Sequence, residues 1–142
     1  KYSKSVKLYF IFGLPGEEQK DLDETINFIK QSRKIIRTKS SFNPFVPKPH
    51  TPFEDHIFDF AELKEKMKYI NSNIKDVKIE DLKGAFIQYV ISLGGSDVGR
   101  FIIDGVENGT NLTYSSFNKA LQKEDIVVPS EEKEWKRIEV SI

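Results

Sequence analysis

The sequence has no cysteine, and that absence removes disulfides, thiolate nucleophiles and every cysteine-held zinc or iron–sulfur site from these 142 residues. Histidine is scarce as well. His50 and His56 are the two present, six apart in a Pro- and Phe-rich loop, too few and badly spaced for zinc. Neither sign of charge is in excess, since 22 Lys plus Arg face 22 Asp plus Glu. No global field therefore attracts nucleic acid or an anionic membrane, and no clustered basic face is visible along the chain. No apolar run approaches bilayer length and no signal-peptide pattern is present, so the expectation is a soluble cytoplasmic protein without membrane contact. The first residues are Lys-Tyr-Ser rather than methionine, which fits a piece of something longer. There is no internal repeat and no low-complexity tract.

What the sequence does have is a full domain's length, enough to bury roughly two thirds of the surface of the unfolded chain. Leu8 to Phe12 is apolar on both sides of any strand, with Leu8, Phe10 and Phe12 on one and Tyr9 and Ile11 on the other. A strand buried on both faces belongs in a parallel sheet covered by helices. Gly13-Leu14-Pro15-Gly16 then turns the chain, and Leu22, Ile26, Ile29 and Ile36 mark a helix from about Glu18 to Ile36. Acids crowd its first turns and bases its last, as the helix dipole prefers. A second strand is predicted over Lys39 to Val46. The prolines Pro47, Pro49 and Pro52 then impose a rigid extended loop. The first third thus reads as a right-handed βαβ unit.

Farther on, Asp59 with Glu62 has capping-box spacing and opens a helix to about Asn73. A short strand follows within Asp76 to Asp81. Helices are predicted over Gly84 to Leu93, over Val98 to Val106 with Ser96 as cap, and from Thr113 or Ser115 to near Gln122. Asn108-Gly109-Thr110 and Asn111-Leu112-Thr113 match the glycosylation triplet, but without a secretory route they read as polar turn residues. The tail from Glu124 is charged, with Trp135 as its large apolar anchor, and weak order is expected there. So few parallel strands cannot cover one another, so the chain is expected either to be a piece of a barrel or to recruit a second copy through its unpaired strand edges.

Two segments carry candidate chemistry. Gly13 and Gly16 let the backbone approach a ligand or adopt positive φ at the carboxyl end of a parallel strand, where α/β enzymes keep their sites. A helix N-terminus just beyond would suit an anion, yet Glu17 and Glu18 would repel phosphate, and the glycines could equally serve only a tight turn. In "NPFVPKPHTPF", Phe42 (just upstream), Phe45 and Phe53 with Val46 and the prolines make an apolar wall suited to a flat ligand such as a nucleobase, or to capping a core. Lys48 is a candidate anion contact. His50, beside Thr51-Pro52, reads as a turn residue rather than a base.

Together, "KLYFIFGLPGEE" (Lys7 to Glu18) and "NPFVPKPHTPF" (Asn43 to Phe53) resemble the C-terminal half of a radical SAM enzyme, in the branch of cobalamin-binding and methylthiotransferase-like proteins. "FIQYVISLGGSDVGRFI" (Phe86 to Ile102) is similar to the family's downstream helix pair but lacks the arginines common there. The resemblance implies an α/β fold, the C-terminal portion of a partial TIM-type β/α barrel with an appended helical extension. Residues 1–58 would supply the last βαβ unit, 59–123 the helical extension with a short strand, and 124–142 a charged tail. It also implies an oxidoreductase that cleaves S-adenosylmethionine (SAM) reductively to a 5′-deoxyadenosyl radical, using a [4Fe–4S] cluster held by an upstream CxxxCxxC loop. Whether cobalamin is also used is left open by the resemblance, since the domain that binds it would precede the barrel. By the same resemblance, Gly13, Leu14, Pro15 and Gly16 would line the SAM side, and Phe45, Val46 and Pro47 would border the adenine. No catalytic residue and no metal ligand falls in this chain, which would be inactive without the remainder of its barrel. Its substrate, whether a small molecule, RNA or protein, is not named by the motifs. The competing expectation is a stand-alone α/β module that binds a nucleotide or a peptide.

Overall fold

In the computed structural model, residues 4–129 and Lys133 are described. They form two compact units. The first takes in the chain up to Phe45 together with Asp59–Leu82, and the second Val46–Phe58 together with the chain from Lys83 onward.

The first unit holds strands β1 (Ser5–Phe12), β2 (Arg37–Pro44) and β3 (Val77–Ile79) with helices α1 (Gln19–Ile35) and α2 (Phe60–Asn73). The three strands are parallel in the order β1-β2-β3, with Ser5 opposite Arg37 and Ser40 opposite Val77. At the start of α1, the Glu18 N–H donates to the Asp21 carboxylate at 2.8 Å. Its apolar stripe of Leu22, Ile26 and Ile29 is buried, as the spacing predicts. Asp59 caps α2 by accepting from the Glu62 N–H at 2.9 Å. Phe12, Ile29, Phe42 and Ile70 are the fully buried centre, and Phe10 stacks on Phe42 at 5.1 Å. Burying each such side chain contributes about 1.5–3 kcal/mol.

The expected burial of β1 on both faces is overturned. Leu8, Phe10 and Phe12 turn inward, but Tyr9 is 68% and Ile11 57% exposed. The cause is the winding. Right-handed crossovers that step in one direction, β1 to β2 to β3, lay successive helices on the same side of the sheet, and α1 and α2 do touch each other. The opposite side receives no helix from this unit. β1 and β3 are both edge strands, and β3 has only three residues. The portion of a TIM-type barrel expected from the sequence is therefore replaced by a small α/β arrangement, a three-stranded parallel sheet with five helices among the described residues. Barrel strands are hydrogen-bonded on both edges and packed on both faces, and β1 is neither.

The second unit contains α3 (Leu82–Leu93), α4 (Ser96–Glu107) and α5 (Tyr114–Gln122). Phe58 stacks on Tyr89 at 5.6 Å, and Phe86 meets Tyr114 edge-on at 5.0 Å. Phe117 packs against Phe101 at 5.2 Å. Gly95 rather than the expected Ser96 is the cap of α4. The two glycosylation-type triplets are indeed turn and cap residues: Asn108 ends α4, Gly109 has φ +65°, and Thr113 caps α5 by accepting from the Ser116 N–H. Trp135, the expected anchor of the tail, lies outside the described residues. Among the described residues no helix is long and apolar enough to cross a membrane.

Candidate functional site

The turn after β1 is built around an internal carboxylate. Gly13 and Gly16 both have positive φ, +79° and +82°, and the Glu17 N–H closes the turn onto the Leu14 carbonyl at 2.9 Å. Glu17 then folds its side chain back, so that Oε2 accepts from the Gly13 N–H at 2.8 Å. Lys66 of α2 meets the same Oε2 at 2.9 Å and Glu62 at 2.8 Å. The amide that an anionic ligand would have used is thus occupied by the protein's own carboxylate. Burial by itself would lower the Lys66 pKa, but the hydrogen bonds that its ammonium donates to Glu62 and Glu17 outweigh it and hold the group above the usual lysine value. Gly13 also permits close packing, since a Cβ there would lie 2.2 Å from Leu63 Cδ2.

Of the residues expected to line a SAM site, Gly13 faces α2, whereas Leu14 and Gly16 are exposed and Pro15 is half-buried. Phe45 and Val46 are half-buried and Pro47 is fully buried. The structure sets the two motif strings side by side: Ile11 pairs with Asn43 and Phe12 with Pro44, and the Phe45 N–H donates to the Phe12 carbonyl at 2.8 Å, extending the β1–β2 ladder past Pro44. The expected aromatic wall is not formed as read. Phe42 is only 1% exposed and spends its ring on Phe10, and Phe53 belongs to the second unit.

The proline segment is a chain of turns rather than an extended loop. Thr51 Oγ1 donates to the Lys48 carbonyl at 2.8 Å, and the Glu54 N–H to the Thr51 carbonyl at 3.1 Å. His50 adopts φ +59° and its N–H donates to Glu54 Oε2 at 3.0 Å, which makes it a turn residue as expected. Lys48 donates to Ser92 Oγ at 2.7 Å. In the helix pair, Gly94 is forced by packing, and Asp97 accepts from the Val127 N–H at 2.7 Å.

Sequence reasoning missed a clustered basic face. A cavity of about 660 Å³ beside the amino-terminal half of the sheet is lined by Lys7, Arg33, Arg37, Lys39, Lys78 and Asp76, among others. The signal was available in the alternation of Arg37 and Lys39, which puts both on one face of a strand. Pairing with Lys7 and proximity to Lys78 follow only from the register.

No family model matches the chain, and no solved structure matches it, so no barrel likeness supports the expected fold. Uncharacterized protein MJ0966 of Methanocaldococcus jannaschii is similar to it, 37% identical over 114 residues, covering 77% of this chain and 25% of that protein. Uncharacterized protein MJ1620 of the same organism is 30% identical over 95 residues, covering 65% of this chain and 18% of that protein. The chain spans about a quarter or less of the length of these curated relatives.

Proposed function

We propose that this chain is the C-terminal segment of a cytoplasmic radical SAM oxidoreductase, similar to the cobalamin-binding and methylthiotransferase-like branch. The observation that carries the reading is the Phe12–Phe45 hydrogen bond of 2.8 Å, which joins the two strings of the resemblance at the carboxyl edge of one sheet. There the exposed Leu14 and Gly16, the half-buried Pro15 and Phe45 offer an apolar border to an adenosyl group. Gly13 packs against Leu63 of α2, and Pro47 is fully buried, so neither touches the ligand.

The cluster does not fit this chain. It has no cysteine, and its described residues hold no group of three His, Cys, Asp or Glu side chains able to share a metal. The cysteines belong to a longer polypeptide, and the quarter of MJ0966 that this chain covers leaves ample length for them. The part played here is to shape and dry one side of the SAM site.

The test is made on the longer polypeptide that carries this segment. Anaerobic reconstitution with iron and sulfide, followed by dithionite, should convert SAM to 5′-deoxyadenosine, and three cysteines spaced CxxxCxxC should precede the segment. No 5′-deoxyadenosine from a protein with a stoichiometric cluster overturns the reading. Micromolar nucleotide binding by this chain alone, with no such cysteines upstream, would identify a self-sufficient binding module instead.

A further inference from the structure

We propose that the basic cavity beside the amino-terminal half of the sheet binds a small phosphate-bearing molecule carrying two or more negative charges. Among the described residues, five bases (Lys7, Arg33, Arg37, Lys39, Lys78) and one acid (Asp76) line it, an excess of four positive charges. The chain as a whole has a formal net charge of +0, so this is a local concentration and not a share of a general excess.

The sheet register makes the concentration costly. Lys7 lies directly opposite Lys39 across the β1–β2 ladder, on strands about 4.8 Å apart. Lys78 stands opposite Ser41, one side-chain step along the same face from Lys39. Like charges opposite one another destabilise a sheet. Among the described residues neither Arg37 nor Lys39 has an acidic partner, and Lys78 reaches Glu80 only at 4.0 Å. Lys7 rests over the Tyr9 ring, 4.5 Å from its centre, which leaves its charge uncancelled. Local conflicts of this kind are expected at functional sites, and a bound anion would supply the missing counter-charge.

Three further features suit a bound anion. Arg33 is already held in place, its guanidinium donating to the Lys75 and Asp76 carbonyls at 2.7 and 3.0 Å, so a cationic wall is set before any ligand arrives. β3 begins at Val77, opposite Ser40, so Arg37–Lys39 of β2 pair with β1 on one edge and have no strand on the β3 edge, where the ladder's gap becomes the cavity. Ser40 lines the cavity from the helix-covered side of β2, the side opposite Lys39, and its buried hydroxyl has no hydrogen-bond partner among the described residues. The volume, about 660 Å³, is within the range of small-molecule sites, roughly 300–1,000 Å³. The site lies toward the opposite end of the strands from the Gly13–Gly16 turn and is independent of the SAM reading.

Calorimetry and thermal denaturation of the chain with inorganic pyrophosphate, with orthophosphate, and with sodium chloride at matched ionic strength test the proposal. Pyrophosphate should bind saturably at one site, about tenfold or more tightly than orthophosphate, and raise the melting temperature beyond the salt control. Lys39→Gln and Lys78→Gln should each weaken pyrophosphate about tenfold, while Lys64→Gln on α2, outside the cavity, should not. Stabilisation no greater than sodium chloride gives, equal affinity for the two phosphates, or unchanged binding by Lys39→Gln would each overturn it. So would binding of heparin alone, which would point to a polyanion track and not a small-ligand site.

Discussion

Lys66 of α2 and Glu17 of the β1–α1 turn form an ion pair of 2.9 Å with side chains only 14% and 9% exposed. The contact ties the turn to a helix almost fifty residues away. It also places a carboxylate on the Gly13 amide, so the turn is closed by the chain's own anion.

Removing that carboxylate should be expensive. Glu17→Ala leaves the Gly13 N–H without its acceptor and Lys66 with Glu62 alone, and should lower stability by about 2 kcal/mol in urea denaturation. Glu17→Ala combined with Lys66→Met should cost less than the two single changes summed, because the stranded ammonium is gone. Full additivity would show that the pair carries no coupling.

The two glycines of the turn should separate cleanly. Both need positive φ, so Gly16→Ala, with open space around it, should cost about 1 kcal/mol. Gly13→Ala adds a clash with Leu63 at 2.2 Å and should cost about 3 kcal/mol or more. Equal melting temperatures for the two variants would contradict this packing.

Alkaline pH should weaken the fold. The folded Lys66 pKa lies above the ordinary lysine value of 10.5, so its stabilisation is complete below that value and is lost as pH rises through the folded pKa. Burial likewise raises Tyr89 above the ordinary 10.0, only partly offset by a hydrogen bond from the Phe58 backbone. Its phenol therefore favours the unfolded state once pH passes 10.0. Lys66→Met should flatten the lysine part of the loss in melts taken from pH 9 to 12.

The lysine opposition on the sheet predicts a gain. Lys39→Glu sets a carboxylate between Lys7 and Lys78 and should raise stability by about 0.5 kcal/mol at low ionic strength. The gain should shrink in 1 M salt, where screening extends only about 3 Å. A salt-independent effect would mean the charges do not face one another.

In the second unit, Gly94→Ala should destabilise by about 2 kcal/mol or more. A Cβ there would lie 2.3 Å from Val98 Cγ2 and 2.7 Å from the Val90 carbonyl, and backbone cannot yield as a side-chain tip can. Wild-type stability in a thermal melt would refute the close approach of α3 and α4.

Local chemistry by itself determined the elements: the spacing of Leu22, Ile26 and Ile29 sets α1, Asp59 starts α2, and Gly13 and Gly16 place the turn. Those features act over a few residues, so they are legible in any short window of sequence. Only the tertiary structure decided that Tyr9 and Ile11 would stand exposed, that Phe42 would be spent on Phe10, that Lys66 would answer Glu17, and that five bases would gather about one cavity. Each of these depends on which strand lies beside which and on the side to which the crossovers carry the helices. An alternating or unbroken apolar pattern names the two faces of a strand, but what covers each face is fixed by residues far away in the chain.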